Sequence, residues 1–385
     1  MAPKHGGKEE EEREGRGPNR PETIVIRSEL IHAGRSCGQN RPCIGSAPYP
    51  VPSPSHVRIV MATLDGAQFV QDQIDSLLAQ EHADWSLLVS DDGSRDATAG
   101  IVAEAARRHP GHGIVLRQGP GRSAAANFLD AIMTSPEEGA FLALSDQDDI
   151  WLPHRLGRAV AALAARPGPA IYASRTLLCD AHGRVRGLSR RHPRGPSFGN
   201  ALVQNILPGN TIVLSPEAAA LARATAPAAL AARGGRGVAH HDWWFYALAT
   251  GAGARVILDD RPGLLYRQHD RNVMGAHRGL RQAADRMTML RDGRYGDWVA
   301  GNVEALGAVR DRLTPGAAAL RDTVADWLAG RGPRFADLRR AGIRRQTLVG
   351  DALLAALVRQ GSFGPQPEGG AGGSSAPPSG SPPGG

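Results

Sequence analysis

The chain has 385 residues, 41% of them hydrophobic and 22% charged, which excludes collagen, coiled coil and wholesale disorder as its main organisation. Such a length holds one large domain or two ordinary ones around a real core. The net charge of +7 would ordinarily suggest a polyanion partner, but Lys occurs only at Lys4 and Lys8, so arginine in an Ala-, Gly- and Pro-rich chain carries the excess, and its placement matters more than its size.

Residues 1–55 are rich in Gly, Pro, Arg and Glu and read as a disordered tail, apart from a short apolar patch around Ile24 to Ile31. They contain no apolar signal core, and no run approaches the ~18 apolar residues of a membrane span. Cys37, Cys43 and Cys179 make neither a disulfide framework nor a zinc site, so a reducing cytoplasm is expected. Val57 to Ala62 is a β-branched apolar run that predicts a buried strand, followed by turn chemistry at Thr63-Leu64-Asp65-Gly66. From Ala67 to Gln80, the residues Phe69, Val70, Ile74, Leu77 and Leu78 form one helical stripe. Trp85 to Val89 predicts the second strand, and Asp96 caps a helix over 97–109 that His109-Pro110 closes. Ile114 to Leu116, Ser123 to Met133 and Phe141 to Leu144 then read as strand, helix and strand. Four alternations in about ninety residues predict an α/β fold with a mostly parallel sheet. Ligands of such sheets bind at the carboxyl ends of the strands, here Thr63–Gly66, Asp91–Ser94 and Ser145–Asp149.

Ser145-Asp146-Gln147-Asp148-Asp149-Ile150-Trp151 carries the strongest chemical signal. Three carboxylates within four residues repel one another unless a cation or a hydrogen-bond network compensates them, and a divalent metal does so economically. Asp91-Asp92-Gly93-Ser94 could accept hydrogen bonds from a ribose or base, or simply form an Asp-rich turn. His240-His241-Asp242-Trp243-Trp244 opens an aromatic helix in which Asp242 is either an ordinary cap or a carboxylate suited to general-base work. Tyr266-Arg267-Gln268-His269 offers a histidine for a metal or a phosphate. Neither a Gly-x-Gly-x-x-Gly nor a Walker loop follows these strands, which disfavours dinucleotide oxidoreductases and P-loop enzymes.

Taken in order, Ala62 to Gly66, Gln73 to Leu77, Ser90 to Ser94, Asn127-Phe128, Ser145 to Trp151, Gln204-Asn205 with Gly209 and Thr211, His241 to Trp244 and Tyr266 to His269 resemble the family 2 glycosyltransferases of the GT-A fold, in particular a bacterial rhamnosyltransferase-like group. The resemblance spans about 57–275. It implies a Rossmann-like, mostly parallel sheet flanked by helices over 56–275, with a helical extension behind it. It also implies an inverting transfer of a sugar from a nucleotide-sugar donor, dTDP-rhamnose or a UDP-sugar, to a hydroxyl of a saccharide or lipid-linked acceptor in cell-surface polysaccharide synthesis. On this resemblance Thr63, Asp91, Asp92, Arg122, Asn127 and Asp146 hold the nucleotide-sugar. Asp146 and Asp148, completed by His269, bind Mg²⁺ or Mn²⁺, and Asp242 is the base. Leu64-Asp65 stands where members usually have Tyr-Asn, and Asn210 where a small residue or Cys is common, so base and sugar preference stay open.

Residues 276–360 read as helical, and 331–360 hold seven Arg against two Asp. Arg339, Arg340, Arg344 and Arg345, with Ile343, Leu348, Leu353, Leu354 and Leu357, read either as a basic amphipathic helix on the inner membrane surface or as a helix packed on the catalytic domain. Residues 361–385 are twenty parts in twenty-five Gly, Pro or Ser, a flexible tail. Two other functions fit the chain less well. A sugar-phosphate nucleotidyltransferase would carry a Gly-rich basic loop where Thr63–Gly66 stands. A nucleic-acid-binding module would interleave aromatics with the arginines, whereas aromatics are 5% of the chain and the tryptophans flank acidic motifs, so no nucleic-acid partner is expected.

Overall fold

The computed structural model describes residues 55–135, 139–269, 293–332 and 334–359. The two tails, the patch at Ile24–Ile31, Cys37, Cys43 and residues 276–292 of the helical region lie outside the described residues.

The first strand, β1 (Val57–Thr63), shows why a continuous apolar run forms the middle of a parallel sheet. Val57, Ile59 and Met61 join one core cluster and Val60 the other, as the two-residue period of a strand requires. Helix α1 (Val70–Leu78) covers the first face with Val70, Ile74 and Leu77, one stripe at helical spacing. Strand β2 (Trp85–Asp91) is followed by α2 (Thr98–Arg108), β3 (Val115–Gln118), α3 (Ala124–Met133) and β4 (Phe141–Ser145). Two boundaries differ from expectation. The cap residue of α2 is Ala97, and Asp96 instead accepts from Thr98 N (2.9 Å) while its other oxygen accepts from Ala67 N (3.0 Å). Helix α1 starts three residues later than the apolar stripe suggests, because Gly66 to Phe69 form the entering turn.

The chain continues through β5 (Ile150–Trp151), α4 (Arg155–Ala164), β6 (Ala170–Asp180), β7 (Val185–Leu188), α5 (Phe198–Ala201), β8 (Val213–Leu214), α6 (Pro216–Ala231), α7 (His241–Gly251) and β9 (Arg255–Gln268). The strand order is β3-β2-β1-β4-β8-β6-β9-β5, with β7 on β6. Strands β1, β2, β3, β4, β6 and β9 run one way, and β5, β7 and β8 run against them, so the sheet is mostly parallel. The order reverses between β1 and β4, which opens a crevice at their carboxyl ends. Helix α7 is apolar nearly all round and is correspondingly buried, with Trp243, Trp244, Phe245 and Tyr246 in the larger core cluster.

The helical region behind the sheet comprises α8 (Arg294–Ala308), α9 (Pro315–Leu328), α10 (Phe335–Arg340) and α11 (Leu348–Arg359). The arginine-rich segment is therefore two short helices, and its apolar stripe faces the protein except at Leu348, which is exposed at the start of α11. Leu338, Ile343, Leu354 and Leu357 are buried in the same cluster as β4 and α7. Polar bonds fix the contact: Arg194 Nη1 donates to Asp351 (2.7 Å), Gln346 N to Gln204 Oε1 (2.8 Å) and Asn200 Nδ2 to Arg344 O (3.0 Å). Gly199 in α5 has no room for a side chain, since a Cβ would stand 2.3 Å from Gly342 O. Of the two readings of this segment, the packed one describes its apolar face. No helix among the described residues is long and apolar enough to cross a membrane.

Candidate active site

Register places Thr63 beside Asp91 at the ends of β1 and β2. Thr63 Oγ1 and Ser94 Oγ both donate to Asp91 Oδ1, at 2.7 and 2.5 Å, and Ser94 N donates to Oδ2 at 2.9 Å. Asp91 thus shapes the loop that presents Asp92. Asp92 Oδ1 accepts from Gly121 N (2.8 Å), and a Cβ on Gly119 would stand 2.5 Å from that oxygen and 2.6 Å from Asn127 Oδ1. Asn127 sits on α3, donates to Ser90 O (2.8 Å) and keeps its buried Oδ1 without a partner among the described residues. Its loop meets Asp92, but the guanidinium of Arg122 donates to Gly235 O, in the connection between α6 and α7, and not to the acidic groups.

The connection from β1 to α1 is held by side chains from elsewhere. Four successive backbone N–H groups are accepted in turn: Leu64 by Gln147 Oε1 (3.0 Å), Asp65 by Ser94 Oγ (2.9 Å), Gly66 by Thr98 Oγ1 (2.8 Å) and Ala67 by Asp96. Asp65 takes a left-handed backbone (φ 46°), which Asp tolerates better than most residues, and its carboxylate accepts from Arg95 N (2.8 Å).

Asp146, Asp148 and Asp149 follow β4, and each offers an oxygen within 4.8 Å of the others. Asp148 Oδ2 meets His269 Nε2 at 2.7 Å, and the imidazole stacks on Phe69 with centroids 4.7 Å apart. Asp149 is fully buried. Asn210 Nδ2 donates to its Oδ2 (2.7 Å), and Oδ1 has no partner among the described residues. Burial, then Asp148, then Asp242, push the Asp146 carboxyl up to about 7. Burial together with Asp148 and Asp146 raises Asp149 as well. Arg155 lies beneath, wholly buried, with its guanidinium carbon 3.3 Å from the centre of the Trp151 ring and Nη2 donating to Asn210 O (2.6 Å). Burial lowers its pKa to about 9, and Asp149 is the largest opposing charge.

Asp242 lies in the first turn of α7, its Oδ1 accepting from Trp243 N (2.7 Å); the cap residue itself is His240. After burial, the Asp148 and Asp242 charges are the two that raise Asp146, so the two carboxyls face one electrostatic environment although 96 positions separate them. Gly209 permits this approach, since a Cβ there would stand 2.8 Å from His241 Nε2 and 3.2 Å from Asp242 Cβ.

The structure thus brings Asp146, Asp148 and His269 together after β4 and β9, with the Asp242 charge from the first turn of α7 acting on Asp146, and separately brings Thr63, Asp91 and Asp92 together after β1 and β2 beside Asn127 of α3. Arg122 is turned aside. Gln147 and Arg155 escaped the sequence reading because their partners stand 83 and 55 positions away. The acidic group fits a divalent cation on its own chemistry: hard oxygen donors, two carboxyls raised by burial and by neighbouring like charges, and a buried oxygen on Asp149 with no partner among the described residues.

The family model described as glycosyl transferase family 2 matches residues 58–226. The dTDP-rhamnosyl transferase RfbG of Shigella flexneri is 27% identical over 237 residues, 61% of this chain and 80% of that protein. The UDP-Glc:alpha-D-GlcNAc-diphosphoundecaprenol beta-1,3-glucosyltransferase WfgD of Escherichia coli is 32% identical over 100 residues, 26% of this chain and 38% of that protein. Among solved structures, a mannosyltransferase from Pyrobaculum calidifontis in complex with GDP-Man and Mn²⁺ superposes with a TM-score of 0.45 at 19% identity, covering 82% of this chain and 84% of that one.

Proposed function

Since the chain belongs to glycosyl transferase family 2 through residues 58–226, we propose that it is a metal-dependent, inverting glycosyltransferase that moves a sugar from a nucleotide-sugar to a hydroxyl of a saccharide or lipid-linked acceptor. The likeness to RfbG supports dTDP-rhamnose as donor, and the likeness to WfgD a UDP-sugar. The observation that supports the reading is the cluster of Asp146, Asp148 and Asp149 after β4, with the Asp242 charge near enough to act on Asp146.

Thr63 and Asp91 order the loop at which the nucleoside rests, and Asp92 and Asn127 offer acceptor oxygens to it. Asp146 and Asp148, with His269, would hold Mg²⁺ or Mn²⁺, which neutralises the charge that grows on the departing diphosphate. Asp242 takes the proton of the acceptor hydroxyl as that oxygen bonds to the anomeric carbon. The bond from the anomeric carbon to the diphosphate oxygen breaks in the same displacement, and its electron pair leaves with the nucleoside diphosphate. One base and one displacement invert the anomeric centre. Arg122 would reach the sugar only after releasing Gly235 O. A nucleotidyltransferase is disfavoured because the connection after β1 has neither the glycines nor the basic residues that reaction calls for. A nucleic-acid module is disfavoured by the acidic crevice. We further place the enzyme at the cytoplasmic membrane surface, through the rim of α10 and α11.

The test is sugar transfer by purified protein, with product stereochemistry read by NMR. Asp242→Asn and Asp148→Ala should each lower kcat by about a thousandfold or more while melting like the wild type. Transfer retained by both variants would refute the assignment.

A further inference from the structure

Gln147, between the two carboxylates assigned to the cation, carries no charge to offer a cation–diphosphate site. Both ends of its amide are nevertheless engaged. Oε1 accepts from Leu64 N at 3.0 Å and Nε2 donates to Leu64 O at 3.0 Å, so one side chain pairs both backbone groups of a residue 83 positions away. Space is made for it: a Cβ on Gly66 would stand 2.1 Å from Oε1. The clasp joins the loop after β1 to the loop after β4, the two strands flanking the reversal of the sheet.

The neighbours of Gln147 show what the clasp does. Asp148 is tied to His269 at the end of β9, and Asp149 to Asn210. Among the described residues no hydrogen bond ties the Asp146 side chain, which lies within ligand distance of the Asp148 and Asp149 carboxyls. Its position follows from the backbone on either side, and that backbone is anchored across the crevice by Gln147. Without the clasp, the backbone that carries Asp146 and Asp148 would lose its anchor across the crevice, and a cation would have to re-gather its ligands on binding.

We propose that Gln147 is a positioning residue: its two-point clasp on Leu64, over the side-chain-free Gly66, holds Asp146 and Asp148 at cation-binding separation and couples that loop to the nucleotide loop. The inference rests on the reading of the acidic loop as the cation site. It predicts the same defect from substitutions on opposite sides of the crevice. Gln147→Met keeps length and removes both hydrogen bonds. Gly66→Ala leaves Gln147 in place and fills the space its amide occupies.

The experiment titrates Mn²⁺ alone into the full chain by calorimetry, with thermal melts in parallel and Asp148→Ala as control. Each single variant should weaken Mn²⁺ binding roughly tenfold, the range found when supporting partners of metal ligands are removed. The double variant should be no weaker than Gln147→Met, because one clasp cannot be broken twice. In transfer assays, the Mn²⁺ concentration for half-activity should rise while kcat at saturating Mn²⁺ stays near wild type. Unchanged Mn²⁺ binding in Gln147→Met, or losses that multiply in the double variant, would overturn the clasp while Asp148→Ala still loses the ion. Equal Mn²⁺ binding by wild type and Asp148→Ala would instead overturn the cation site, and the clasp's role with it.

Discussion

His241 shows how a residue beside the proposed base can be held neutral. Its ring lies against Phe128 with centroids 4.0 Å apart, and Nε2 is buried under Gly209 with no hydrogen-bond partner among the described residues. Burial, against a smaller opposing effect of Asp242, lowers its pKa to about 4. The unfolded chain takes up the proton near 6.5, so the folded state binds fewer protons between 6.5 and 4. The stabilisation is therefore complete above pH 6.5 and is lost as pH falls through that window. Melting temperature should drop over that range in the wild type and drop less in His241→Phe, which keeps the ring contact without the titration. Parallel curves would mean that the ring charges in place. Asn210 poses a different test. Its amide is the hydrogen-bond donor that reaches the buried Asp149 carboxyl, so Asn210→Ala should cost about 1–3 kcal/mol in denaturant unfolding, the desolvation penalty of a stranded acceptor. The acidic run itself was legible because its members are adjacent. Asn210, Gln147 and Arg155 were not, since each acquires its role from a partner that only the fold brings near.

Among the elements, the strands and helices from β1 to β4 could be read from the chain because each shows an apolar period of its own. The boundaries shifted where side chains from other loops supply the hydrogen bonds, as Thr98 and Ser94 do for the turn entering α1. The short strands β5, β7 and β8 have two to four residues each, too few for a period to show, and are fixed by pairing with β9, β6 and β4. The arginine-rich helices were ambiguous for another reason: an apolar stripe looks the same whether lipid or protein covers it. Leu338 settles which. It is buried in the cluster shared with α7, so Leu338→Ala should destabilise the folded chain by about 3 kcal/mol, measured by urea unfolding. A helix free of the domain would give no change. By the same reasoning, deleting the segment is a poor probe of surface binding, because the deletion would uncover Leu338, Ile343, Leu354 and Leu357 together.

Over the whole molecule, the two signs of charge separate. The crevice is acidic, whereas 331–360 carries a net +5 of the chain's +7. The two acids of that segment are already engaged, Asp337 by Arg340 at 2.7 Å and Asp351 by Arg194 at 2.7 Å. Arg339, 3.8 Å from Asp351, and Arg344 are exposed beside the first turn of α11, where Leu348 and Val349 leave 74% and 79% of their surface in water. Two adjacent apolar side chains rimmed by arginine match an anionic bilayer, into whose interface the pair can dip while each nearby Arg adds about 1 kcal/mol. A nucleic acid would offer the charge but no apolar layer for the pair. The full chain should therefore co-sediment with vesicles containing phosphatidylglycerol, not with pure phosphatidylcholine, and the bound fraction should fall as salt rises. Leu348→Ser with Val349→Ser should cut the partition coefficient by roughly tenfold without altering the melt, since neither side chain is packed. Arg344→Gln should weaken binding less and flatten its salt dependence. Binding that survives the paired serines would show that the arginines act alone. No binding by the wild type would assign the +5 to solubility and remove the proposed membrane contact from this face.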